Sequence, residues 1–346
     1  MSVLGADQDT GVIIKHSPAD FVVRECPAVD LVARGPATHE FLLLRKLGYT
    51  TFEAIRLVAA ELGIAPGDVT YAGLKDEDGN TEQVIAVPVG DAAPGHRVVM
   101  HDHEHRLELH HYGYGGAPLA VGSLTGNGFR IVVRNVAAGM AQRFGESSRL
   151  AVHFLNYYDT QRFGVPNGKK LTHTVGAAIL AGDWDTALSR LAGLAAPESA
   201  SAVAWRGPAR DFFRQLDPRV VAFYCAAHAS FGWNAALRDV VTSTCPTGTT
   251  PIDVDGLRFV YTASSADAVR VLLCAQDIPL TRYTVVDGHP HATTSGRSTV
   301  VQTIMTVSDI AADECFPGRQ RVTLGFFLPS GCYATAAMRQ LIGYMR

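Results

Sequence analysis

The 346-residue chain has only six cysteines, and no two of them share a C-x-x-C spacing: Cys26, Cys225, Cys245, Cys274, Cys315 and Cys332 stand far apart. That pattern argues against a zinc knuckle and a disulfide framework, and it fits a reducing compartment. Also missing is any apolar run long enough to span a bilayer, and the first residues carry Asp7 and Asp9 instead of a basic, apolar leader. A cytoplasmic protein without membrane attachment is therefore expected. Nor is there an excess of positive charge. Thirty Lys and Arg stand against 33 Asp and Glu, a net charge of -3, which lowers non-specific affinity for nucleic acid but leaves room for a local basic groove.

What is present is a well-buried globular composition, 47% hydrophobic with 18% charged residues. The length exceeds the roughly 250–300 residues at which a single core stops growing, so two domains are expected. Three parts can be read along the chain, without internal repeat or low-complexity tract. Residues 11 to 165 mix short strands with one clear helix, Thr51 to Leu62, whose Phe52, Ile55, Val58, Ala59 and Leu62 share a face. Thr50 and Glu53 form a capping box and Gly63 a C-terminal stop. Residues 166 to about 304 carry helical stretches near His173 to Ala181, Trp184 to Leu194 and Pro218 to Val241, with looser segments APESASA and STCPTGTTP between them and a strand-like GLRFVY after. Strands return around Arg321 to Leu328, followed by a helix after Ser330.

The stretch YAGLKDEDGNTEQ, Tyr71 to Gln83, is the most informative. The apolar run Val69 to Ala72 reads as a strand, so Asp76 stands where a strand empties into a turn, a place where catalytic side chains are often held. Taken alone, Asp76, Asp78, Gly79 and Asn80 read equally well as ordinary turn formers. The histidines His101, His103, His105, His110 and His111 imitate a metal cluster, yet no Cys or repeated spacing completes a shell. They are expected on a solvated strand edge or loop, with no metal and no other cofactor.

Six segments, in order, resemble the TruD family of RNA pseudouridine synthases. They are Lys15, Asp20, Phe21 and Glu25 in IIKHSPADFVVRE; His39, Lys46, Gly48 and Thr51; Ala72, Gly73, Lys75 and Asp76 with Thr81 and Gln83; Gly126, Asn127, Phe129 and Arg134; Asn156, Tyr157, Gln161, Arg162, Phe163 and Gly164; and Phe326 to Arg339 in FFLPSGCYATAAMRQL. A weaker match in the middle rests on Ser230, Trp233, Asn234, Gly296 and Arg297.

The resemblance implies an α+β pseudouridine synthase fold with a central twisted mixed sheet, split by an inserted α/β domain of the TRUD type. It sets residues 1–165 plus 305–346 as the catalytic domain and 166–304 as the insertion. It implies isomerisation of uridine to pseudouridine, with RNA as partner, tRNA being the family's usual substrate. Asp76 becomes the essential carboxylate and Lys15 the cation near it. Phe21, Phe129 and Tyr333 line the pocket as stacking surfaces, Asn127 hydrogen-bonds uracil or the aspartate, and Lys75, Gln161 and Arg162 contact substrate. Lys75 has an alternative, to face phosphate or solvent, because successive side chains in an extended segment point apart. Phe21 has one as a core aromatic, and Arg162 as a structural partner of an acid inside the catalytic domain.

The chain departs from the family pattern at Glu77, Asp78 and Gly79, in the loop GYGGAPLAVG, and at Asp159. Each change removes positive or adds negative charge where a phosphate backbone is expected to pass. A second reading follows: a relative making a C-nucleoside for small-molecule biosynthesis, acting on uridine, UMP or an unusual RNA.

Overall fold

The computed structural model describes residues 4–6, 11–75, 77, 79–90, 97–102, 104–165 and 168–346. By contact the chain divides into two compact units: Met1–Ala151 with Thr303–Ala334 and Met345, and Val152–Gln302 with Thr335–Tyr344 and Arg346.

The first unit is built on a large mixed sheet. Its strands run in the order Gln320–Pro329, Leu124–Val136, Phe21–Pro27, Asn80–Pro88, His39–Leu47, Arg106–Gly115 and Arg97–His101, with residues 303–312 of the strand Val300–Ala312 beyond Gln320–Pro329. Phe21–Pro27 and Asn80–Pro88 pair in parallel while their outer neighbours pair antiparallel. Period-two alternation explains which side faces the core. Leu42, Leu44, Ile85, Val87, Leu107 and Leu109 point to one face and meet Ala54, Ile55, Val58 and Ala59 of the helix Thr51–Leu62. Phe41, Val84 and Ala86 point to the other, with Leu119.

That helix has the limits read from the sequence. The Thr50 side chain accepts from the Glu53 N–H, Glu53 reaches back to the Thr50 N–H at 2.9 Å, and Gly63 takes the left-handed conformation that ends it. Phe52, expected on the buried face, is 50% exposed and meets the Tyr71 ring edge-on. Thr51 is buried in its place, for a reason that belongs to the site.

The second unit carries the helices Thr172–Leu180, Trp184–Ala192 and Pro218–Thr244, close to the expected spans. APESASA is not loose: Ser199–Ala204 is helical, because the buried Ser199 hydroxyl donates to the Leu191 carbonyl and accepts from the Ala196 N–H. Two further helices, Ala209–Gln215 and Ser265–Cys274, and two hairpins, Thr249–Val254 with Leu257–Thr262 and Asp277–Val286 with His289–Ser298, complete it. The C-terminal helix Ala334–Tyr344, assigned by sequence to the first unit, packs with the second. Arg339 and Thr335 bond Asp159, Gln340 donates to the Thr262 carbonyl, and Tyr344 donates to that of His153.

Candidate active site

Asp76 itself lies outside the described residues, as do Asp78 and His103. The residues leading to it are held from four directions. The Lys75 N–H donates to Thr51 Oγ1 at 2.9 Å, and Lys46 Nζ donates to the Lys75 carbonyl at 3.3 Å. Gln83 Nε2 holds the Gly73 carbonyl at 3.1 Å. Lys75 Nζ sits 2.5 Å from Glu25 Oε2, with both side chains almost completely buried. Thr51, Lys46 and Gln83 are themselves inaccessible, so these bonds form away from competing water, where leaving one unmade would be costly.

The position of Glu25 follows from the sheet. The parallel pairing between Phe21–Pro27 and Asn80–Pro88 covers Val22, Val23 and Arg24 and stops there. The Glu25 carboxylate takes over, accepting the Val84 N–H at 3.2 Å with one oxygen and Lys75 with the other. Lys75 therefore faces neither phosphate nor solvent. Its ammonium is spent holding its own loop.

On the neighbouring strand Asn127 stands directly opposite Glu25, Phe129 opposite Val23 and Ile131 opposite Phe21, so these side chains share one sheet face. Among the described residues, the buried Asn127 Oδ1 accepts no hydrogen bond. Phe129 stacks on Phe326 at 5.3 Å and meets the edge of Phe21 at 6.2 Å. Lys15, itself 7% exposed, lies 4.2 Å over the Phe21 ring, a cation–π contact. Phe21 is 2% exposed, and at Gly79 an added Cβ would come within 3.2 Å of the Phe21 carbonyl. The loop beyond Asp76 thus returns against Phe21, and glycine permits the approach.

Phe21 is fixed from behind as well. Arg134 grips Asp20 with two bonds of 2.8 and 2.9 Å and reaches Asp313 at 3.0 Å, so the turn entering the strand has a bidentate anchor. Tyr333 is half-buried just before the helix Ala334–Tyr344.

Gln161 and Arg162 belong to the second unit. Gln161 is exposed, and Arg162 donates to Ser230 Oγ at 3.2 Å and lies 5.3 Å over the Phe223 ring. Its contacts are thus a hydroxyl and a ring rather than the expected acid in the catalytic domain. Asn234 brackets the Tyr158 N–H and carbonyl, and Arg297 bonds the Asn156 carbonyl and side chain. The matched residues of the middle region thus brace the NYYDTQRFG segment.

Asp159 requires a correction. It is 2% exposed and paired with Arg339, which holds its carboxyl below the usual range against the opposing effect of burial. It therefore adds no negative charge to a surface where RNA would pass. Among the histidines, His111 bonds Glu40, His105 pairs with Asp102, and His101 and His110 approach Glu108; all four belong to the edge strand Arg97–His101, to its neighbour Arg106–Gly115 or to the turn between them. Thr51, Gln83, Lys46 and Glu25 were matched in sequence without a role; their signal was a polar residue at a position whose period places it in the core.

A profile of the tRNA pseudouridine synthase D (TruD) family matches residues 3–217. Proteins described as tRNA pseudouridine synthase D from Geobacter sp. (strain M21) and Geobacter metallireducens are 35% and 34% identical over 193 and 209 residues. Those alignments cover 53% and 57% of this chain and 44% and 46% of the relatives, so the chain matches less than half the length of each. A solved structure from Methanosarcina mazei, described provisionally as tRNA pseudouridine synthase D, superposes over 100% of this chain and 95% of its own with a TM-score of 0.54 at 17% identity, a likeness of fold. With more than half of its length matched by the family profile, the chain belongs to the tRNA pseudouridine synthase D (TruD) family.

Proposed function

We propose that the protein isomerises uridine to pseudouridine in tRNA and that Asp76 carries the reaction. The N1–C1′ bond breaks, the uracil turns, and C5 bonds to C1′; N1 gains a proton and C5 loses one, so no redox partner is consumed. A carboxylate beside the ribose can attack C1′ or stabilise the positive charge that develops there. Lys15 nearby would keep that carboxylate ionised at neutral pH.

The observation that carries this reading is the four-way anchoring of Gly73 to Lys75 immediately before Asp76. Holding a reactive group within about half an ångström of its productive geometry requires such a supporting layer. Asn127 Oδ1, buried without a donor among the described residues, suits the uracil N3–H. Phe129 and Tyr333 would flank the base, and Phe21 would form the floor of the pocket beneath Lys15. Gln161 and Arg162 would act through the second unit's hold on RNA. We place the reaction in the cytoplasm, supported by six cysteines of which none forms a disulfide among the described residues. No helix among the described residues is long and apolar enough to cross a membrane.

The test offers total tRNA, uridine and UMP separately to the protein and to Asp76→Asn, and detects pseudouridine by mass-resolved chromatography of nuclease digests. The expected outcome is conversion in tRNA by the native chain and none by the folded variant. Near-normal turnover by Asp76→Asn removes the assignment, and conversion of UMP or uridine with untouched tRNA favours the C-nucleoside reading.

A further inference from the structure

The second unit holds a cavity of about 480 Å³ that no step above uses. Its wall is an aromatic pair: His173 and Phe231 stack with ring centroids 4.2 Å apart and planes 6° apart. His173 is the inner member, 9% exposed, and its Nδ1 has no hydrogen-bond partner among the described residues. Phe231, on the long helix Pro218–Thr244, is the outer member and 39% exposed. Lys169 and Lys170 line the same cavity, and among the described residues neither pairs with a carboxylate. The cavity is also lined by the two-residue turn Asp255–Gly256, with φ of 52° and 79° closing the hairpin Thr249–Val254 with Leu257–Thr262, a left-handed pair that fits hairpin twist.

These groups correspond to the parts of one nucleotide. An open ring face offers a stacking surface to any base. A neutral imidazole with an unused ring nitrogen can hydrogen-bond a base or a ribose hydroxyl, and two lysines suit a phosphate. The Asp255 carboxylate can accept a bond from a 2′-hydroxyl, which would distinguish RNA from DNA. The volume falls within the roughly 300–1,000 Å³ of ordinary small-ligand sites.

We infer that this pocket receives a single unpaired nucleotide of an RNA strand, its base on Phe231 and its phosphate between Lys169 and Lys170, a second contact with RNA carried wholly by the inserted unit. The inference rests on the reading of the chain as an RNA-modifying enzyme. It also accounts for positive charge being retained on this unit while the loops Glu77–Gly79 and Gly113–Gly122 have little.

The experiment measures equilibrium affinity by fluorescence anisotropy, with labelled tRNA and separately with labelled UMP and AMP, for the full chain and for Phe231→Leu, Phe231→Tyr and the double variant Lys169→Ala/Lys170→Ala. Expected for Phe231→Leu is about a tenfold weaker hold on tRNA with an unchanged salt slope, and recovery in Phe231→Tyr, which restores the ring. In the lysine variant the log–log salt slope should fall by about 1 to 2. Mononucleotide binding that Phe231→Leu abolishes would support the same chemistry with a free nucleotide as its source. Unchanged affinity for tRNA and mononucleotides in all variants, with folding verified by circular dichroism, overturns the inference. Binding is read without turnover. Unchanged binding in all the variants while the native chain still forms pseudouridine refutes this inference alone, and weakened binding in the variants of a chain that forms no pseudouridine refutes only the proposed function.

Discussion

The loop before Asp76 and the rim of the inserted unit's cavity use lysine in opposite ways. At the loop, Lys75 is buried against Glu25 and Lys46 donates to the Tyr49 and Lys75 carbonyls; both ammonium groups position backbone. At the rim, Lys169 and Lys170 line open space. A cation with all its bonds inside the protein has been spent on geometry, and one without them remains available for a ligand. Counting charge along the sequence treats the two alike, which is why net charge says little about where this protein would meet RNA.

The comparison can be broken hardest at the ion pair. Lys75→Met leaves the Glu25 carboxylate buried without its cation and should cost about 3–5 kcal/mol in urea unfolding. Adding Glu25→Gln should recover much of that loss while activity stays low, because the loop has lost its anchor. A stable, fully active Lys75→Met would show that the pair does not position Asp76.

Next in size is the aromatic wall. Phe129→Ala or Tyr333→Ala should lower kcat/KM about 5- to 150-fold, the rate equivalent of roughly 1–3 kcal/mol of stacking. Phe129→Leu keeps apolar bulk against Phe326 and separates stacking from packing. A ligand-bound structure with both rings away from the base would remove them from the pocket.

A smaller effect should appear in pH. Burial, with His228 and Arg190 adding to it, pushes His173 down to about 4 from an unfolded value of 6.5. Between those values the unfolded chain binds the proton that the folded one excludes, so this contribution is complete above about pH 6.5 and is lost as pH falls toward 4. Thermal melts from pH 7 to 4 should show a fall that His173→Phe flattens. An identical slope in the variant would place the titration elsewhere.

The smallest expected change sharpens the contrast. Lys169→Ala/Lys170→Ala should leave stability within about 0.5 kcal/mol of the native chain, since among the described residues the lysines satisfy no buried partner. A loss approaching that of Lys75→Met would mean the rim is structural after all.

Legibility in the sequence followed the range of the interaction. The helix Thr51–Leu62 was readable to both ends because its cap, its period and its stop all lie within fourteen residues. The chain-order motifs carried the family and the site's membership. Partners distant in sequence were not readable: that Lys75 meets Glu25 depends on where a parallel pairing ends, and that Asp159 is neutralised depends on Arg339. Other omissions had local signals. Ser264 with Asp267 three residues on marks the start of Ser265–Cys274, and Asp255–Gly256 and Asp287–Gly288 both sit at hairpin turns with positive φ. Phe52 misled because a helix N-terminus beside a polar anchor buried Thr51 instead.

The bond between Asp159 and Arg339 joins residues 180 positions apart. During synthesis at about 5–20 residues per second, Asp159 waits roughly 10 to 40 s for its counter-charge. Through that interval the NYYDTQRFG segment carries a carboxylate that cannot be buried cheaply, so the second unit has reason to stay open until Arg339 leaves the ribosome. A glycine at 159 would remove that carboxylate, so burial of this segment would no longer wait on Arg339.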